Sequence, residues 1–340
     1  MNEPHASEAA PSEHPFAQYV RILGKGPRLS RALTIDEART AAAMVFRDEV
    51  EPVQLGAFLC LLRVRTETPE EVAGFALAIR DSLQRPADLP PVDVDWPSYA
   101  GKARRLPLFI LAALLLAGSG VRIFMHGTEG HTAGRLYTRE TLAALGVPAA
   151  SSPAEAAGQL AAYNFTYAPM ELLNPKLNEI FGLKSLLGLR SPLHTVVRNV
   201  NPFDARAALI SVFHPNYRAV HRDAAKLMGM HSVACFKGDG GEVERRPDKP
   251  CLVDGLLAGT EFSEEWAPLL SGGPESPNGM DPAFLGALWR GTVADSFAEA
   301  TIVGTAAVAL RQLGRAKTVD EAERLARQLW GERRRDRLVA

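Results

Sequence analysis

The chain has 340 residues, 46% apolar and 23% charged, with 38 Lys+Arg against 39 Asp+Glu for a net charge of −1. That length allows one large or two moderate domains with a sizeable core, and the composition excludes a disordered or uniformly basic molecule. The longest apolar run, Leu106 to Gly118, is too short to cross a bilayer, so no membrane partner is expected.

Residues 1–14 are polar and proline-rich, without the basic and apolar regions of a signal peptide, and are expected to be a disordered tail. Residues 15–86 predict helices only. Thr34-Ile-Asp-Glu37 is a capping box, Pro52 opens a second helix, and Thr68-Pro69-Glu70-Glu71 supplies a cap, an N1 proline and an N3 carboxylate. Residues 87–96 (ADLPPVDVDW) break the pattern and read as a hinge. Residues 97–169 and 191–330 then alternate short apolar runs with helices, predicting an α/β domain with a mostly parallel sheet. The expected strands are Val121 to Met125, Tyr163 to Tyr167, Ala208 to Val212, Ser232 to Phe236 and Cys251 to Val253. The expected helices run from Pro107 to Ala117, Thr138 to Leu145, Pro153 to Leu160, Tyr217 to Met228, Asp281 to Leu313 and Thr318 to Trp330. Asn174 to Leu189 reads as helix that folds back onto the N-terminal helices, Gly255 to Asp281 as loop, and residues 331–340 as a solvated charged tail. Cys60, Cys235 and Cys251 lack metal-ligand spacing, which suits unpaired thiols in a reducing cytoplasm.

The overall balance conceals an asymmetry. Between Ser98 and Gly240 there are 15 Lys+Arg against 8 Asp+Glu, a local excess of +7, and six of the eight histidines. Several of these cations sit on loops that follow strands or on helices that those loops lead into, where a doubly wound fold binds anions at strand ends and helix N-termini. Lys102, Arg104, Arg105, Lys184, Arg190, Arg198, Arg218 and Arg222 are therefore the candidate anion-binding residues. Arg190, His194 and Arg198 recur at four-residue spacing and share a face if that segment is helical.

The segments HGTEGHTAGRLYTRETLAALG and LRSPLHTVVRNVNP, in this order behind a small helical domain, resemble the anthranilate phosphoribosyltransferases. The resemblance covers Ala17 to Gly314 and implies that family's fold, a small all-helical domain plus a large α/β domain, and a homodimer through the helical domain. Tyr19, Ile22, Phe58 and Leu62 are the apolar residues expected to form that contact. It also implies where the family's site would lie: Ser98, Tyr99, Gly101, His126, Gly127 and Glu242. There the pattern departs. The family's GTGGD loop corresponds to Ser98-Tyr99-Ala100-Gly101-Lys102, and its DGLDE magnesium segment to Asp239-Gly240-Gly241-Glu242-Val243, leaving one carboxylate of the pair. Lys184 stands where the family's substrate-carboxylate arginine belongs. These departures are similar to the TrpD-like paralogues of the YbiB group, and that similarity implies sequence-independent binding of DNA or RNA with no cofactor. The alternative is a glycosyltransferase or phosphoribosyltransferase acting on an unknown acceptor with a sugar phosphate donor, for which magnesium would be the cofactor. A dimeric scaffold is the third reading.

Overall fold

A computed structural model describes residues 12–83, 85–86, 88–130, 132–273 and 279–338. The first 11 residues of the expected N-terminal tail, and residues 274–278 of the expected loop, lie outside them.

The helical domain follows its local signals. α1 (Ala17–Gly24) begins without a side-chain cap, whereas α2 (Ile35–Phe46), α3 (Pro52–Arg65) and α4 (Pro69–Ser82) start where the caps stand, with complete capping boxes at Thr34/Glu37 and Thr68/Glu71. Glu71 also accepts the Leu33 amide at 3.0 Å, which ties the entry of α2 to α4. Phe58 packs edge-on to Phe16 and Phe75, at 5.0 and 6.0 Å between ring centroids. Tyr19, Phe58 and Leu62, expected at a dimer contact, are instead buried within this domain, and Ile22 packs partly buried against the same core. The reason is the fold-back of later chain. α9 (Pro175–Gly182) brings Leu177, Ile180 and Phe181 into that core, so apolar surface that looked unburied in sequence has a partner.

The larger layer is a seven-stranded sheet of order β3-β2-β1-β4-β5-β6-β7. β1 (Val94–Ser98), β2 (Ile123–Gly127), β3 (Phe165–Pro169), β4 (Ala207–Val212) and β5 (Val233–Lys237) are parallel. β6 (Cys251–Leu257) and β7 (Thr260–Trp266) add an antiparallel hairpin. Between the strands run α5 (Phe109–Gly118), α6 (Thr138–Ala144), α7 (Pro153–Tyr163), the short α8 (Met170–Leu173), α10 (Lys184–Leu187), α11 (Leu193–Val196) and α12 (Tyr217–Leu227). α13 (Ala283–Arg290), α14 (Ser296–Gln312) and α15 (Val319–Glu332) follow. α5 is apolar all round and buried from Phe109 to Ala117, as the central helix of the main core must be.

Three expectations are corrected. The hinge contains a strand: Val94–Trp96 begin β1, which lies in the middle of the sheet. Pro97 and two aspartates disguise it, yet Pro97 lies beyond the last residue paired with β4, and Asp95 is buried against a histidine. The loop expected from Gly255 contains β7, reached through Ala258 and Gly259, both at positive φ as a two-residue hairpin turn requires. The helix expected from Asp281 to Leu313 is two, because Gly291 ends α13 in the left-handed region and Asp295 caps α14. The charged C-terminal tail is mostly exposed, in keeping with the expected solvated tail, and it is also anchored to the domain. Arg333 stacks 3.5 Å from the centre of the Trp330 ring, and Trp289 donates its indole N–H to the Arg334 and Arg337 carbonyls.

Candidate functional site

The parallel strands end beside the helical domain, and the loops after β1, β4 and β5 meet there. Gly127 closes β2 with no room for a side chain, since a Cβ would fall 2.0 Å from the Ser98 carbonyl oxygen. This proximity fixes the loop after β1. Ser98 Oγ and Thr138 Oγ1 are hydrogen-bonded at 2.6 Å. Tyr99 is buried, with its hydroxyl 2.7 Å from His126 Nδ1, and His126 Nε2 lies 3.0 Å from Asp95 Oδ1. Burial raises the Tyr99 phenol well above its ordinary range. His126 is fully buried, so the Tyr99–His126–Asp95 row holds the loop in place and offers no base to solvent.

The backbone N–H groups of that loop already have an acceptor. Glu242 Oε1 accepts from Ala100 at 2.7 Å and from Gly101 at 2.6 Å. Burial pushes the Glu242 carboxyl up, opposed by the charge of Arg198 and by the two amides. The N-terminus of α5 is occupied in the same way, because Glu244 Oε2 accepts from the Phe109 amide at 2.9 Å. Lys102 completes the arrangement. It is 2% exposed, and its ammonium donates to Glu244 Oε1 at 2.6 Å and to Asp239 Oδ2 at 2.5 Å. A pyrophosphate needs those amides and that helix end, and magnesium needs carboxylate oxygens facing it. Here the chain's own two glutamates and lysine fill these positions, so neither group fits. Among the described residues no group of three His, Cys, Asp or Glu side chains is placed to hold a metal ion.

Beside this filled cradle lies an open cleft of about 390 Å³ between the domains. Arg63 reaches it from α3, Arg135 from the segment before α6, and Arg190 and Arg198 from the segment around α11. Arg135 donates to the Ala100 and Gly101 carbonyls, both at 2.9 Å, Arg198 to the Gly241 carbonyl at 3.0 Å, and Arg190 to Thr132 Oγ1 at 3.0 Å. None of the four has a carboxylate within 4.0 Å among the described residues, whereas Arg31, Arg39, Arg122, Arg139, Arg218 and Arg311 all do. Burial lowers Arg190, and the like charges of Arg135 and Arg63 add to that; burial lowers Arg198 as well. His221, on the same wall, is held neutral with its pKa lowered to about 3 by burial and by Arg198. Phe213 stands at the mouth, 61% exposed. Tyr217 donates to Glu67 Oε2 at 3.0 Å, a link between the domains.

Of the residues singled out from sequence, the fold brings Arg190 and Arg198 together with His194, through one turn of α11 and a following 3-10 turn. Lys102 is not in the cleft, being consumed by its two carboxylates. Arg105 lies partly buried over the Phe297 ring, 3.7 Å from Asp239, while Arg104 is exposed on the loop without lining the cleft. Lys184 is half-buried on α10, also outside it. Arg218 pairs with Asp254 at 2.6 Å and Arg222 with Asp223 at 2.7 Å, so the basic face of α12 is matched to acidic neighbours. Sequence reasoning missed Arg63, which no local pattern marks. It left Arg135 out although that residue follows the His126 loop.

Residues 17–83 match the helical bundle domain of the glycosyl transferase family. An anthranilate phosphoribosyltransferase of Thermus thermophilus is 26% identical over 88% of this chain and 92% of that protein. An uncharacterized protein of Escherichia coli, YbiB, is 28% identical over 59% of this chain and 64% of its own length. The crystal structure of an anthranilate phosphoribosyltransferase from Thermus thermophilus superposes with a TM-score of 0.76 at 21% identity, covering 94% of both chains. The Saccharomyces cerevisiae enzyme in complex with PRPP and Mg gives 0.74 at 16% identity, again over 94% of both chains.

Proposed function

From a TrpD-like chain with the anthranilate phosphoribosyltransferase fold, we propose a protein that binds DNA or RNA without sequence preference, through the arginine-lined cleft. One observation carries the reading: four guanidinium groups converge on an open cleft with no carboxylate within 4.0 Å among the described residues, beside a phosphate cradle closed by internal glutamates. Cations without a carboxylate in direct contact suit the phosphates of a polymer, and phosphate contacts give affinity without reading bases. Such binding needs no cofactor.

Salt dependence tests it. Log K for a labelled oligonucleotide should fall with log salt by about 0.7–0.9 for each phosphate neutralised. Arg63 and Arg190 are the two exposed members of the set, so removing both should leave the fold intact. Arg63→Ala with Arg190→Ala is expected to weaken every sequence by a similar factor and to flatten the slope by up to about 2 units. Binding that ignores salt, or a double variant with the wild-type slope, would end the proposal.

The homodimer is proposed on different residues from those first expected. Val53 and Val64 lie eleven residues apart on one side of α3 and are 79% and 82% exposed, and Leu186 on α10 is 81% exposed. Covering these side chains is the favourable term for self-association. Light scattering at micromolar concentration should give twice the chain mass of 36.7 kDa, and Val64→Asp should give the chain mass. A wild-type monomer would refute the contact.

A further inference from the structure

The cleft has a second property besides positive charge. A running strand presents one negative charge per nucleotide at wide spacing, and a flat row of cations would suffice for it. Here Arg135, Arg190 and Arg198 crowd around one recess, and Arg190 feels the charge of Arg135. The loop carbonyls of Ala100, Gly101 and Gly241 orient Arg135 and Arg198, and a fixed guanidinium fork suits a phosphate with several free oxygens. The recess also contains donors without an acceptor among the described residues. Ser211 Oγ, at the end of β4, is fully buried on its wall and makes no hydrogen bond to any of them, and neither does the buried Arg135 Nε. Buried polar groups are nearly always satisfied, so both point to a missing oxygen-rich ligand. Phe213 at the mouth offers a face for the base attached to it.

We infer that the recess formed by Arg135, Arg190, Arg198 and Ser211 seats a phosphate monoester, the terminal phosphate of a nucleic-acid strand, with the end base stacked on Phe213. The inference rests on the nucleic-acid reading and deepens it from backbone binding to recognition of an end. A dianionic terminal phosphate has three free oxygens for these donors, and an internal diester has two.

The test compares single-stranded 12-mers bearing a 5′-phosphate, a 3′-phosphate or only hydroxyl ends, with a 14-mer lacking end phosphates as the control for added charge. One phosphorylated end is expected to bind at least tenfold tighter than both hydroxyl oligomers at about 150 mM salt. Arg198→Lys keeps the charge and removes the fork, so the ratio of phosphorylated-end to hydroxyl-end affinity should fall towards one. Should that variant fail to fold, Ser211→Ala is the second probe and should lower the ratio at least threefold. Equal binding of all the oligomers would overturn end recognition and leave the broader reading standing. No binding of any oligomer at low salt would overturn both. Adenosine 5′-monophosphate displacing the 12-mer at equal concentration would assign the recess to free nucleotides and overturn the inference.

Discussion

Lys102→Met is expected to destabilise the protein by about 3–5 kcal/mol at neutral pH, the loss typical of breaking a buried ion pair from one side. Lys102 is 2% exposed and is the ammonium shared by Glu244 and Asp239, so removing it leaves buried carboxylates uncompensated. The effect has a predictable pH dependence. Burial works to raise the Asp239 pKa, but the charge of Lys102, joined by Arg105 and Arg246, holds it below the ordinary 3.8. A depressed carboxylate pKa contributes stability that is present above its unfolded value and is lost as pH falls through the folded one. In the variant the Lys102 charge and hydrogen bond are lost, only Arg105 and Arg246 still oppose burial, and the Asp239 pKa rises. The gap between wild type and variant should be full at neutral pH and should narrow as pH falls through the range between the variant's raised and the wild type's lowered Asp239 pKa. Urea unfolding at pH 7 and at pH 3.5 reads both parts. A variant within about 1 kcal/mol of wild type at pH 7 would show that the buried cation is dispensable.

With anthranilate, phosphoribosyl pyrophosphate and magnesium, no turnover above the enzyme-free blank is expected. The amides of Ala100 and Gly101 already donate to Glu242, and the first amide of α5 already donates to Glu244. A pyrophosphate entering there would have to displace two buried carboxylates and would meet their charge before gaining any donor. Magnesium would have to replace an ammonium that makes bonds of 2.6 Å or less to both of its carboxylates. His126 cannot serve as an exposed base, because both of its ring nitrogens are engaged with Tyr99 and Asp95 in the interior. Product formation that rises with enzyme concentration would overturn this, as would growth of a tryptophan auxotroph supplied with the chain.

The glutamate plug also explains why the altered loop was visible in sequence while its replacement was not. Ser98-Tyr99-Ala100-Gly101-Lys102 and Asp239-Gly240-Gly241-Glu242-Val243 each read as departures from a pattern. That Glu242 bonds the amides of the first loop is a contact across 141 and 142 residues. The same separation hid the fate of Lys102, which reads locally as a loop cation and is 137 and 142 residues from its partners. Arg218 and Arg222 show the other side of the problem: their helix is basic on one face, and only the antiparallel hairpin brings Asp254 and Glu261 against it.

The sequence by itself determined what depends on near neighbours. Caps at Thr34, Thr68 and Asn174, the apolar run of α5 and most of the parallel strands follow from side chains within a few residues of one another. Where a strand carried polar residues or proline, as in Val94–Ser98, or was an exposed edge, as in Thr260–Trp266, the local pattern was lost because sheet pairing supplies the stability. Only the tertiary structure decided which charges remain available. A cation's role depends on whether a carboxylate lies within about 4 Å, and at that range the nearest charge is set by packing. Lys102, Arg218 and Arg222 found partners, while Arg63, which no local pattern marks, and Arg135, behind the His126 loop, came to line the open cleft with Arg190 and Arg198.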